Sequence, residues 1–401
     1  MKGLLRVLCL NTGSSSVRLA VYAMQSRIET LVLEGSVGDI GTGSDRLRLR
    51  RAGGATMAER TEPFRDSATA LHAALAALGD CDPETMASID VVGHRIVHGG
   101  PHADAPARID AALRDELRRC VPLAPLHIPA ALEAIEVAAN RFPGLPQVAC
   151  FDTAFHRRMP AISQRLPLPD ALWSEGIRRY GFHGLSFEFV VQELGSELAP
   201  RTVIAHLGSG SSLVALRDGV PIDTTMGFTP AGGVMMATRS GDLDPGVLLY
   251  LLRKRGWDAE RLERLVTHEA GLLGVSGISG DMRSLLRLRT EDPRADLAVA
   301  MYCYQIRKAI GALTAVLGGL DLLVFTGAIG EGSAEIREEI CVGLDHLGLR
   351  GREGRDRTGD AEIFPVEPHA CEVRTVPTNE NLMIARHTRA VVRSGEVGKG
   401  G

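Results

Sequence analysis

Short apolar segments alternate along the chain with longer segments in which apolar residues recur every three or four positions. The short segments are rich in β-branched and aliphatic residues and predict buried strands. The longer ones predict amphipathic helices, as in residues 67–78, where Leu71, Leu75 and Leu78 share one face. This alternation indicates an α/β fold. The predicted strands cover residues 4–10, 17–22, 89–92, 147–151, 202–207, 212–216 and 321–326, and the other predicted helices cover residues 129–142, 244–255 and 294–317.

Two of the predicted strand pairs are joined by similar turns. Residues 7–22 read as strand, Asn-Thr-Gly-Ser-Ser-Ser, strand, and residues 203–216 read as strand, Gly-Ser-Gly-Ser-Ser, strand. A unit repeated about half a chain apart predicts a duplicated fold whose halves face each other across a cleft. Backbone N–H groups in Gly-rich turns can also bind an anion. Either turn alone is more typical of a plain β-hairpin, whereas the two together favour a phosphate ligand.

Composition narrows the class of protein. The 401 residues, 45% of them hydrophobic, are enough for two domains with ordinary cores. The formal net charge is −4, and no basic block indicates nucleic acid as the main partner. The seven cysteines are odd in number and scattered, without a C-x-x-C motif. Such cysteines are typical of reduced thiols, so we expect a cytoplasmic protein without a disulfide framework or a zinc site.

Three segments bear on targeting and membranes. Arg6 interrupts the apolar N-terminal segment, and a Gly/Ser turn follows it, which favours a first strand over a signal sequence. The most apolar region, residues 309–325, contains glycine and Asp321 and is too short to span a bilayer. We therefore expect no membrane partner. The tail from Arg393 onward has no core positions and is expected to be disordered.

Polar residues that could bind an anion or serve a metal follow two of the predicted strands. Arg95 lies in Gly-His-Arg-Ile-Val-His-Gly-Gly (93–100), and its guanidinium can bind a carboxylate or phosphate through two hydrogen bonds. His94 and His98 in the same segment are better explained as structural residues. Asp152 lies in Phe-Asp-Thr-Ala-Phe-His (151–156), at the end of a strand. It could orient a metal-bound water, cap the next helix or act as a base.

Further candidates lie at predicted helix starts and Gly-rich turns. His183 stands between glycines just before a helix, where it could donate to an anion; His127 and His206 are similar, weaker candidates. Arg239 is a candidate second cationic clamp, and Asp244 in the same segment is the expected cap of the following helix. Residues 325–333 form a third strand-to-glycine loop suited to phosphate, and Glu380 is a candidate carboxylate ligand of Mg²⁺.

Taken in order, eight segments resemble the acetate kinase family, also called acetokinases. They span residues 10–380 at family-like spacing, and although each alone is unspecific, the ordered set is highly specific. The segments are Leu-Asn-Thr-Gly-Ser-Ser-Ser, Gly-His-Arg-Ile-Val-His-Gly-Gly, Ala-Pro-Leu-His-Ile-Pro, Phe-Asp-Thr-Ala-Phe-His, Tyr-Gly-Phe-His-Gly, Thr-Arg-Ser-Gly-Asp-Leu-Asp-Pro-Gly, Ser-Gly-Asp-Met-Arg and Pro-Thr-Asn-Glu.

The resemblance implies the fold shared by sugar kinases, the Hsp70 ATPase and actin, with two RNase H-like halves around a central cleft. It implies an N-terminal domain of residues 1–152, completed by a C-terminal helix within residues 384–401. Residues 153–383 would form a second domain that binds the nucleotide and makes a homodimer. The implied reaction is reversible phosphoryl transfer between ATP and acetate, giving ADP and acetyl phosphate, with Mg²⁺ or Mn²⁺ as the metal. A carboxylate nucleophile is already ionised at pH 7, so this reaction needs no general base. The role of Asp152 is therefore expected to be in the coordination shell of the metal or in orienting other groups.

The resemblance also implies roles for individual residues. Arg95 and Arg239 would bind the carboxylate and the transferring phosphoryl group, and His183 would stabilise the transition state. Asn11, Asp152 and Glu380 would serve the metal, whereas a small pocket for the methyl end of the acid would be formed by Val97, Leu126, Phe182 and Pro230. The residues expected to contact the nucleotide or its phosphates are Ser14, Ser16, Arg18, His127, His206, Gly208, Ser209, Gly210, Asp281, Met282, Arg283, Gly327, Ala328, Ile329 and Gly330.

The chain departs from the family pattern mostly around the expected donor pocket. Arg18 replaces the usual Lys, Ser209 the usual Asn, and Ala328 a usual Gly, so that an extra methyl group could crowd the base. The catalytic clamps are unchanged, which supports a carboxylate kinase more strongly than it supports ATP as donor or acetate as acceptor. The other departures are Pro101, Phe187, Ala231, Gly232, Ala237, Gly332 and Asn381.

Three hypotheses follow from these residues. The first is an acetate kinase. The second is a related kinase with propionate or another short-chain acid as acceptor, or with pyrophosphate or another nucleotide as donor. The third is a nucleotide-gated binding module like Hsp70 or actin. The intact set of Arg95, Asp152, His183 and Arg239 argues against the third hypothesis, because a gate needs no carboxylate clamp.

Overall fold

The computed structural model describes residues 3–13, 16–25, 28–38, 40–41, 43, 45–355, 361–365 and 371–397. None of the helices in this part of the chain combines the length and the apolar character that a bilayer span needs. The chain divides into two compact units: Met1–Phe155 with Asn379–Gly401, and His156–Thr378. Each unit has its own mixed sheet and its own hydrophobic core.

The first unit is built on an eight-stranded sheet. Its strands are β1 (Leu5–Thr12), β2 (Val17–Gln25), β3 (Ile28–Gly38), β4 (Arg46–Arg51), β5 (Thr56–Thr61), β6 (Val91–Ile96), β7 (Ala107–Arg108) and β8 (Gln147–Phe151). The order across the sheet is β5-β4-β3-β2-β1-β6-β8-β7. β1 to β5 form an antiparallel meander, whereas β6 and β8 continue the sheet parallel to β1. The carboxyl ends of β1, β6 and β8 therefore lie at one edge of the sheet.

Helices cover the sheet of the first unit and complete its core. α1 begins with a capping box, in which the Asp66 carboxylate accepts from the Thr69 N–H and the Thr69 hydroxyl accepts from the Asp66 N–H. The predicted apolar face of α1 is confirmed, because Leu71, Leu75 and Leu78 are all buried. The helices are α1 (Ser67–Cys81), α2 (Pro83–Ala87), α3 (Ala111–Arg119) and α4 (Ile128–Arg141), with short 3-10 turns at Val121–Leu123 and Ala154–Arg158.

The second unit contains a five-stranded sheet and a separate two-stranded one. The strands are β9 (Arg201–Leu207), β10 (Ser211–Arg217), β11 (Val220–Thr224), β12 (Leu322–Thr326), β13 (Leu349–Arg355), β14 (Ala361–Pro365) and β15 (Glu372–Thr375). The larger sheet has the order β11-β10-β9-β12-β15, and β13 pairs with β14 alone.

Most of the helices belong to the second unit. They are α5 (Ala161–Gln164), α6 (Asp170–Ser174), α7 (Gly184–Leu194), α8 (Pro245–Arg255), α9 (Ala259–Arg264), α10 (Gly271–Ser276), α11 (Met282–Leu288), α12 (Pro293–Leu317), α13 (Gly327–Gly332) and α14 (Ala334–Cys341), with 3-10 turns at Gly195–Glu197 and Asp345–Leu347 and a π-helical turn at Leu265–Glu269. The long helix α12 is capped by Asp292 and ends at Gly318, whose φ of 74° suits glycine. Its buried face, with Tyr302 and Ile306, packs in the core of the unit.

The two larger sheets share one topology, which confirms the predicted duplicated α/β fold. In the first unit, the order β3-β2-β1-β6-β8 combines an antiparallel meander with two added parallel strands. In the second, β11-β10-β9-β12-β15 does the same in the same order. The two Gly/Ser turns that revealed the repeat join β1 to β2 and β9 to β10.

The C-terminal helix α15 (Glu380–Val397) returns to the sheet of the first unit. A Cβ placed on Gly93 in β6 would lie 2.2 Å from the hydroxyl of Thr388, so the helix approaches the strand as closely as only glycine allows. Arg386 also pairs with Glu29 of β3 at 2.7 Å. The expectation of disorder from Arg393 onward is wrong as far as Val397, because the amphipathic helix continues through it, and residues 398–401 lie outside the described part of the chain.

Candidate functional site

The first candidate site is the arginine–carboxylate cluster, formed by Asn11, Arg95, Asp152 and Glu380. Asn11 and Arg95 lie near the ends of β1 and β6, and Asp152 directly follows β8. Because these three strands are parallel neighbours, their side chains meet at one edge of the sheet. Glu380 joins them as the first residue of α15. All four residues belong to the first unit.

A hydrogen-bond network holds the guanidinium of Arg95 in one orientation. Its Nη2 donates to Asp152 Oδ2 at 2.7 Å, and its Nε lies 3.1 Å from both oxygens of that carboxylate. Its Nη1 donates to Asn11 Oδ1 at 3.1 Å and to Glu380 Oε2 at 3.2 Å. Asn11 Nδ2 donates to the same Glu380 oxygen at 2.7 Å. The cluster therefore presents a preoriented cation with two carboxylates.

The charges of this cluster are largely removed from solvent. The side chains of Arg95, Glu380 and Asp152 are 17%, 11% and 1% exposed. Burial alone would lower the pKa of Arg95, but the negative charges of Asp152 and Glu380 raise it above the usual value overall. Arg95 thus stays cationic at all ordinary pH values, as a binder of anions requires.

The other predicted site residues of the first unit lie around this edge or in its interior. Arg18 is exposed and stands directly opposite Asn11 in the β1–β2 register, so both side chains project from the same face of the sheet. In the β1–β2 turn, the Gly13 N–H donates to the Ser16 carbonyl, while Ser14 lies outside the described residues. Val97 is buried, and Leu126 and His127 are half-buried just before α4.

His94 and His98 fit the structural interpretation. His94 Nε2 lies 2.6 Å from Gln147 Oε1, and burial lowers the pKa of His94 to about 4. His98 is fully buried and its Nδ1 accepts from the Gly100 N–H at 2.9 Å. His98 therefore holds the backbone after Arg95, and His94 is fixed against the side chain of Gln147.

The second candidate site is the histidine–glycine cluster of the second unit, formed by His183, His206, Arg239 and the turn at residues 208–210. A Cβ placed on Gly210 would lie 2.6 Å from Arg239 Nη2 and 3.0 Å from His183 Nε2. A Cβ on Gly208 would lie 3.9 Å from His206 Nε2. One cation and two imidazoles thus line a glycine turn, and the missing side chain of Gly210 lets Arg239 and His183 approach the backbone this closely.

Stacking and hydrogen bonds fix the two imidazoles. The rings of His183 and His206 are stacked, with centroids 4.3 Å apart and planes 22° from parallel. His183 Nδ1 lies 2.8 Å from Ser212 Oγ, and His206 Nδ1 lies 2.8 Å from Ser186 Oγ. His183 also has a left-handed backbone, with φ of 56°, directly before α7. Such a conformation is strained for a residue other than glycine and is often found at functional sites.

The third glycine segment adjoins this cluster, but it forms the short helix α13 itself rather than a loop before a helix. The N–H of Ala328 lies 3.9 Å from the position of a Cβ on Gly208. Glu331 Oε1 accepts from the N–H of Gly327 at 2.8 Å and from that of Thr378 at 3.0 Å. Glu331, which the sequence analysis did not select, therefore fixes this segment. In the sequence, only the position of Glu331 between two glycines could have indicated this role.

The remaining predicted site residues of the second unit occupy different environments. Arg239 Nη1 donates to the carbonyl of Pro230 at 2.7 Å, which brings the predicted pocket residue next to the predicted clamp. Phe182, Met282 and Gly330 are buried, Ile329 is half-buried, and Ser209, Asp281 and Arg283 are exposed. The side chain of Met282 packs in the hydrophobic core, so only its backbone could face a ligand. Asp281 caps α11, with its Oδ2 accepting from the Ser284 N–H, and its contact with a nucleotide stays a prediction.

The structure gives a physical reason for one departure from the family pattern, Phe187, and shows the setting of another, Ala237. Phe187 is fully buried, with edge-to-face contacts to His156 and to His206, so an apolar ring fills this position well. The N–H of Ala237 donates to the carbonyl of Ser209, which ties the segment before Arg239 to the glycine turn. Nothing in the structure explains the replacement by Gly332.

His156 gives the site region a testable pH dependence. Its Nε2 lies 2.9 Å from the Phe182 carbonyl, yet burial lowers the pKa of His156 from 6.5 to about 4. Below pH 6.5 the unfolded chain therefore takes up a proton that the folded chain does not. As the pH decreases from 6.5 to about 4, this residue should lower the free energy of unfolding by about 1.4 kcal/mol per pH unit. Urea unfolding of wild type and His156→Gln should show the shallower pH slope in the variant; equal slopes would contradict the assignment.

A duplicated α/β fold with arginine and histidine side chains at glycine turns is an arrangement suited to phosphoryl transfer. The sequence profile of the acetokinase family matches residues 6–386. The acetate kinase of Rhodopseudomonas palustris is 41% identical over 97% of this chain and 99% of its own length. The chain belongs to the acetokinase family, and it is therefore a kinase.

Solved structures agree with this membership. The acetate kinase of Porphyromonas gingivalis is 35% identical and superposes with a TM-score of 0.82 over 97% of this chain and all of its own. A propionate kinase of Francisella tularensis is 32% identical, with a TM-score of 0.86 over 96% of this chain and all of its own. Both matches confirm the predicted fold class, and they represent two different short-chain acids.

Proposed function

We propose that the chain is an acetate kinase, which transfers a phosphoryl group reversibly between ATP and acetate to give ADP and acetyl phosphate. The observation that carries this proposal is the convergence of Arg239 and His183 on the Gly210 turn in a chain of the acetokinase family. Donors placed around a glycine turn suit the oxygens of a phosphoryl group. The preoriented cation of the arginine–carboxylate cluster suits the acetate carboxylate.

In the proposed reaction, each cluster contributes binding and charge stabilisation rather than acid–base chemistry. Acetate enters already ionised, so its carboxylate oxygen needs no proton removed before it attacks phosphorus. Arg95 orients this carboxylate, and Asp152 and Asn11 hold Arg95 in place. Arg239 and His183 donate to the oxygens of the transferring group, whose transition state is loose and metaphosphate-like. The bond between that phosphorus and the leaving ADP oxygen breaks as the acyl phosphate bond forms.

The residues of the first cluster fit a magnesium ion. Mg²⁺ prefers oxygen ligands and usually binds one or two carboxylates together with substrate phosphates and water. Among the described residues, no group of three or more His, Cys, Asp or Glu side chains is arranged to hold a metal. Glu380 and Asp152, with the amide oxygen of Asn11, offer suitable donors. When bound, the ion would neutralise charge on the phosphates.

We also propose that the enzyme is a cytoplasmic homodimer. All seven cysteines are free thiols, six of them buried, which suits a reducing compartment. The second unit exposes large apolar side chains that a partner subunit could cover. On α8 and directly before it, these are Leu243, Val247, Leu249, Tyr250 and Leu252, and on α12 they are Leu297, Met301, Tyr304 and Val316.

A second candidate function is a kinase for propionate or another short-chain acid. The similarity to a propionate kinase favours it, because that protein is 32% identical to this chain, close to the 35% of the acetate kinase of P. gingivalis. Ala328 is exposed beside the glycine turn, where its extra methyl group could crowd a nucleotide base. Pyrophosphate or another nucleotide is therefore an alternative donor.

A hydroxylamine trap for acyl phosphate tests the function. Purified protein with Mg²⁺ would be supplied with acetate, propionate or butyrate, each combined with ATP, GTP or pyrophosphate. We expect hydroxamate from acetate and ATP at the highest kcat/KM. A higher kcat/KM for another pair would transfer the assignment to that acid or donor. The absence of product from every pair would refute the carboxylate kinase.

A further inference from the structure

The two histidines of the histidine–glycine cluster are held by serines in a crossed pattern. His183 belongs to the start of α7, and its partner Ser212 lies on β10. His206 lies on β9, and its partner Ser186 belongs to the first turn of α7. The start of α7 and the β9–β10 hairpin thus each supply one histidine and one serine. The two bonds tie the beginning of α7 to the hairpin that carries the glycine turn.

This pattern positions the rings rather than merely filling space. Ser186 and Ser212 are both fully buried, so neither hydroxyl is available to bulk water. Each hydroxyl lies 2.8 Å from a ring Nδ1, and Nε2 lies on the opposite side of the ring. The Nε2 atoms are the ones near the glycine turn, at 3.0 Å and 3.9 Å from the positions of Cβ atoms on Gly210 and Gly208.

The direction of each serine–histidine hydrogen bond is coupled to the tautomer of the ring, because a hydroxyl can donate to Nδ1 or accept from Nδ1–H. Two imidazolium cations stacked at 4.3 Å would repel, so at least one ring of the pair is neutral. A neutral imidazole has one N–H, and a hydroxyl that donates to Nδ1 places this N–H on Nε2. The N–H then points toward the turn, where it can donate to a phosphate oxygen. A serine hydroxyl can equally accept from Nδ1–H if the ring becomes charged.

We propose that Ser212 and Ser186 are positioning residues for phosphoryl transfer, which hold the Nε2–H groups of His183 and His206 toward the phosphate oxygens. The proposal rests on the proposed function and deepens it. Because His183 stands beside Arg239 at the turn, Ser212 acts on the transition state. Because His206 stands farther along the turn, near Gly208 and Ala328, Ser186 acts on the binding of the nucleotide phosphates.

Steady-state kinetics of Ser212→Ala and Ser186→Ala test these separate roles. Loss of one orienting hydrogen bond should change the affected constant about 10-fold. We expect Ser212→Ala to lower kcat with little change in the KM for ATP, and Ser186→Ala to raise that KM with little change in kcat. Ser212→Thr and Ser186→Thr, which keep the hydroxyl, should restore most of the loss.

A buried hydroxyl elsewhere on the same hairpin provides the matched control. Thr202 lies fully buried at the other end of β9 and donates to the Ala199 carbonyl at 2.7 Å. Thr202→Val should lower thermal stability as much as the serine variants do, while both kinetic constants stay unchanged. If Ser212→Ala and Thr202→Val change kcat equally, or if Ser212→Ala loses only stability, the positioning role is overturned.

A readout that needs no turnover separates this inference from the proposed function. Nitrogen NMR of histidine-labelled protein identifies the tautomer of each ring, and His183→Gln and His206→Gln assign the two signals. We expect the Nε2–H tautomer for His183 in the wild type and a mixture in Ser212→Ala. An unchanged tautomer would overturn the proposal. If Ser212→Ala changes the tautomer of His183 but the wild type makes no acyl phosphate, the role of Ser212 in positioning His183 is supported. Only the proposed kinase function is then refuted.

Discussion

Replacement of Arg95 by alanine is expected to lower kcat for acyl phosphate formation by about 10³-fold or more, by analogy with other arginines that act in phosphoryl transfer. In the structure the fork of this guanidinium, Nε and Nη2, pairs with the Asp152 carboxylate, and its Nη1 donates to Asn11 and Glu380. The variant would lose the cation that orients the acceptor. ATP affinity, measured by calorimetry without Mg²⁺, should change only a few-fold, because in the proposed function Arg95 binds acetate and not the nucleotide.

The alanine variant also removes the ion-pair partner of a buried carboxylate, which can cost about 3–5 kcal/mol of stability. Arg95→Lys keeps the charge but not the fork, so it should fold well and still lose most activity. Arg201→Lys is the matched control, because Arg201 forms a similar fork with Asp321 away from both clusters. Near-normal turnover by Arg95→Lys would show that the fork does not bind the acceptor.

Replacement of Arg239 by alanine is expected to have an effect of similar size, about 10³-fold on kcat. Its Nη2 comes closest of the guanidinium atoms to the glycine turn, whereas its Nη1 is held by the Pro230 carbonyl. Because the interaction is strongest in the transition state, kcat and kcat/KM should fall together. The measurement is steady-state kinetics in both directions, with ATP and acetate and with ADP and acetyl phosphate.

A second arginine in the same unit controls for simple loss of structure. Arg179 donates to the carbonyls of Thr224 and Thr225, much as Arg239 donates to that of Pro230. Arg179→Ala should therefore lose stability without a comparable loss of kcat. If both variants lose kcat to the same degree, the effect of Arg239 comes from folding, and its role as a clamp is wrong.

The fold could be predicted from the sequence because its strongest signals are local. Strand–turn–strand units at both Gly/Ser motifs are set by apolar runs and glycines, and these became β1–β2 and β9–β10. The meeting of Arg95 with Asp152 also follows from position, since both stand at carboxyl ends of adjacent parallel strands. The polar, glycine-containing tail obscures the helical pattern of residues 380–397, so the sequence did not predict that α15 extends past Arg393.

The finer geometry of the site could not be predicted in this way. Ser212 ends the Gly-Ser-Gly-Ser-Ser motif, but the bonds of Ser212 and Ser186 to the histidines depend on the left-handed backbone of His183 and on the β9–β10 register. Met282 was selected from a matching segment, but its position on the buried face of α11 places it in the core. Hydrogen bonds between residues far apart in sequence, such as that between Asn11 and Glu380, need the folded chain.

One measurement tests most directly whether both clusters serve a single transfer step. Arg95→Ala, Arg239→Ala and the double variant would be compared with the wild type in the hydroxylamine assay with acetate and ATP, after circular dichroism confirms folding. Residues that act as one unit lose activity non-additively, so the double variant should retain about the activity of either single variant, near 10⁻³ of the wild type. A multiplicative loss, to about 10⁻⁶ of the wild type, would show that the two arginines contribute independently to the barrier rather than as one unit, and would contradict the account.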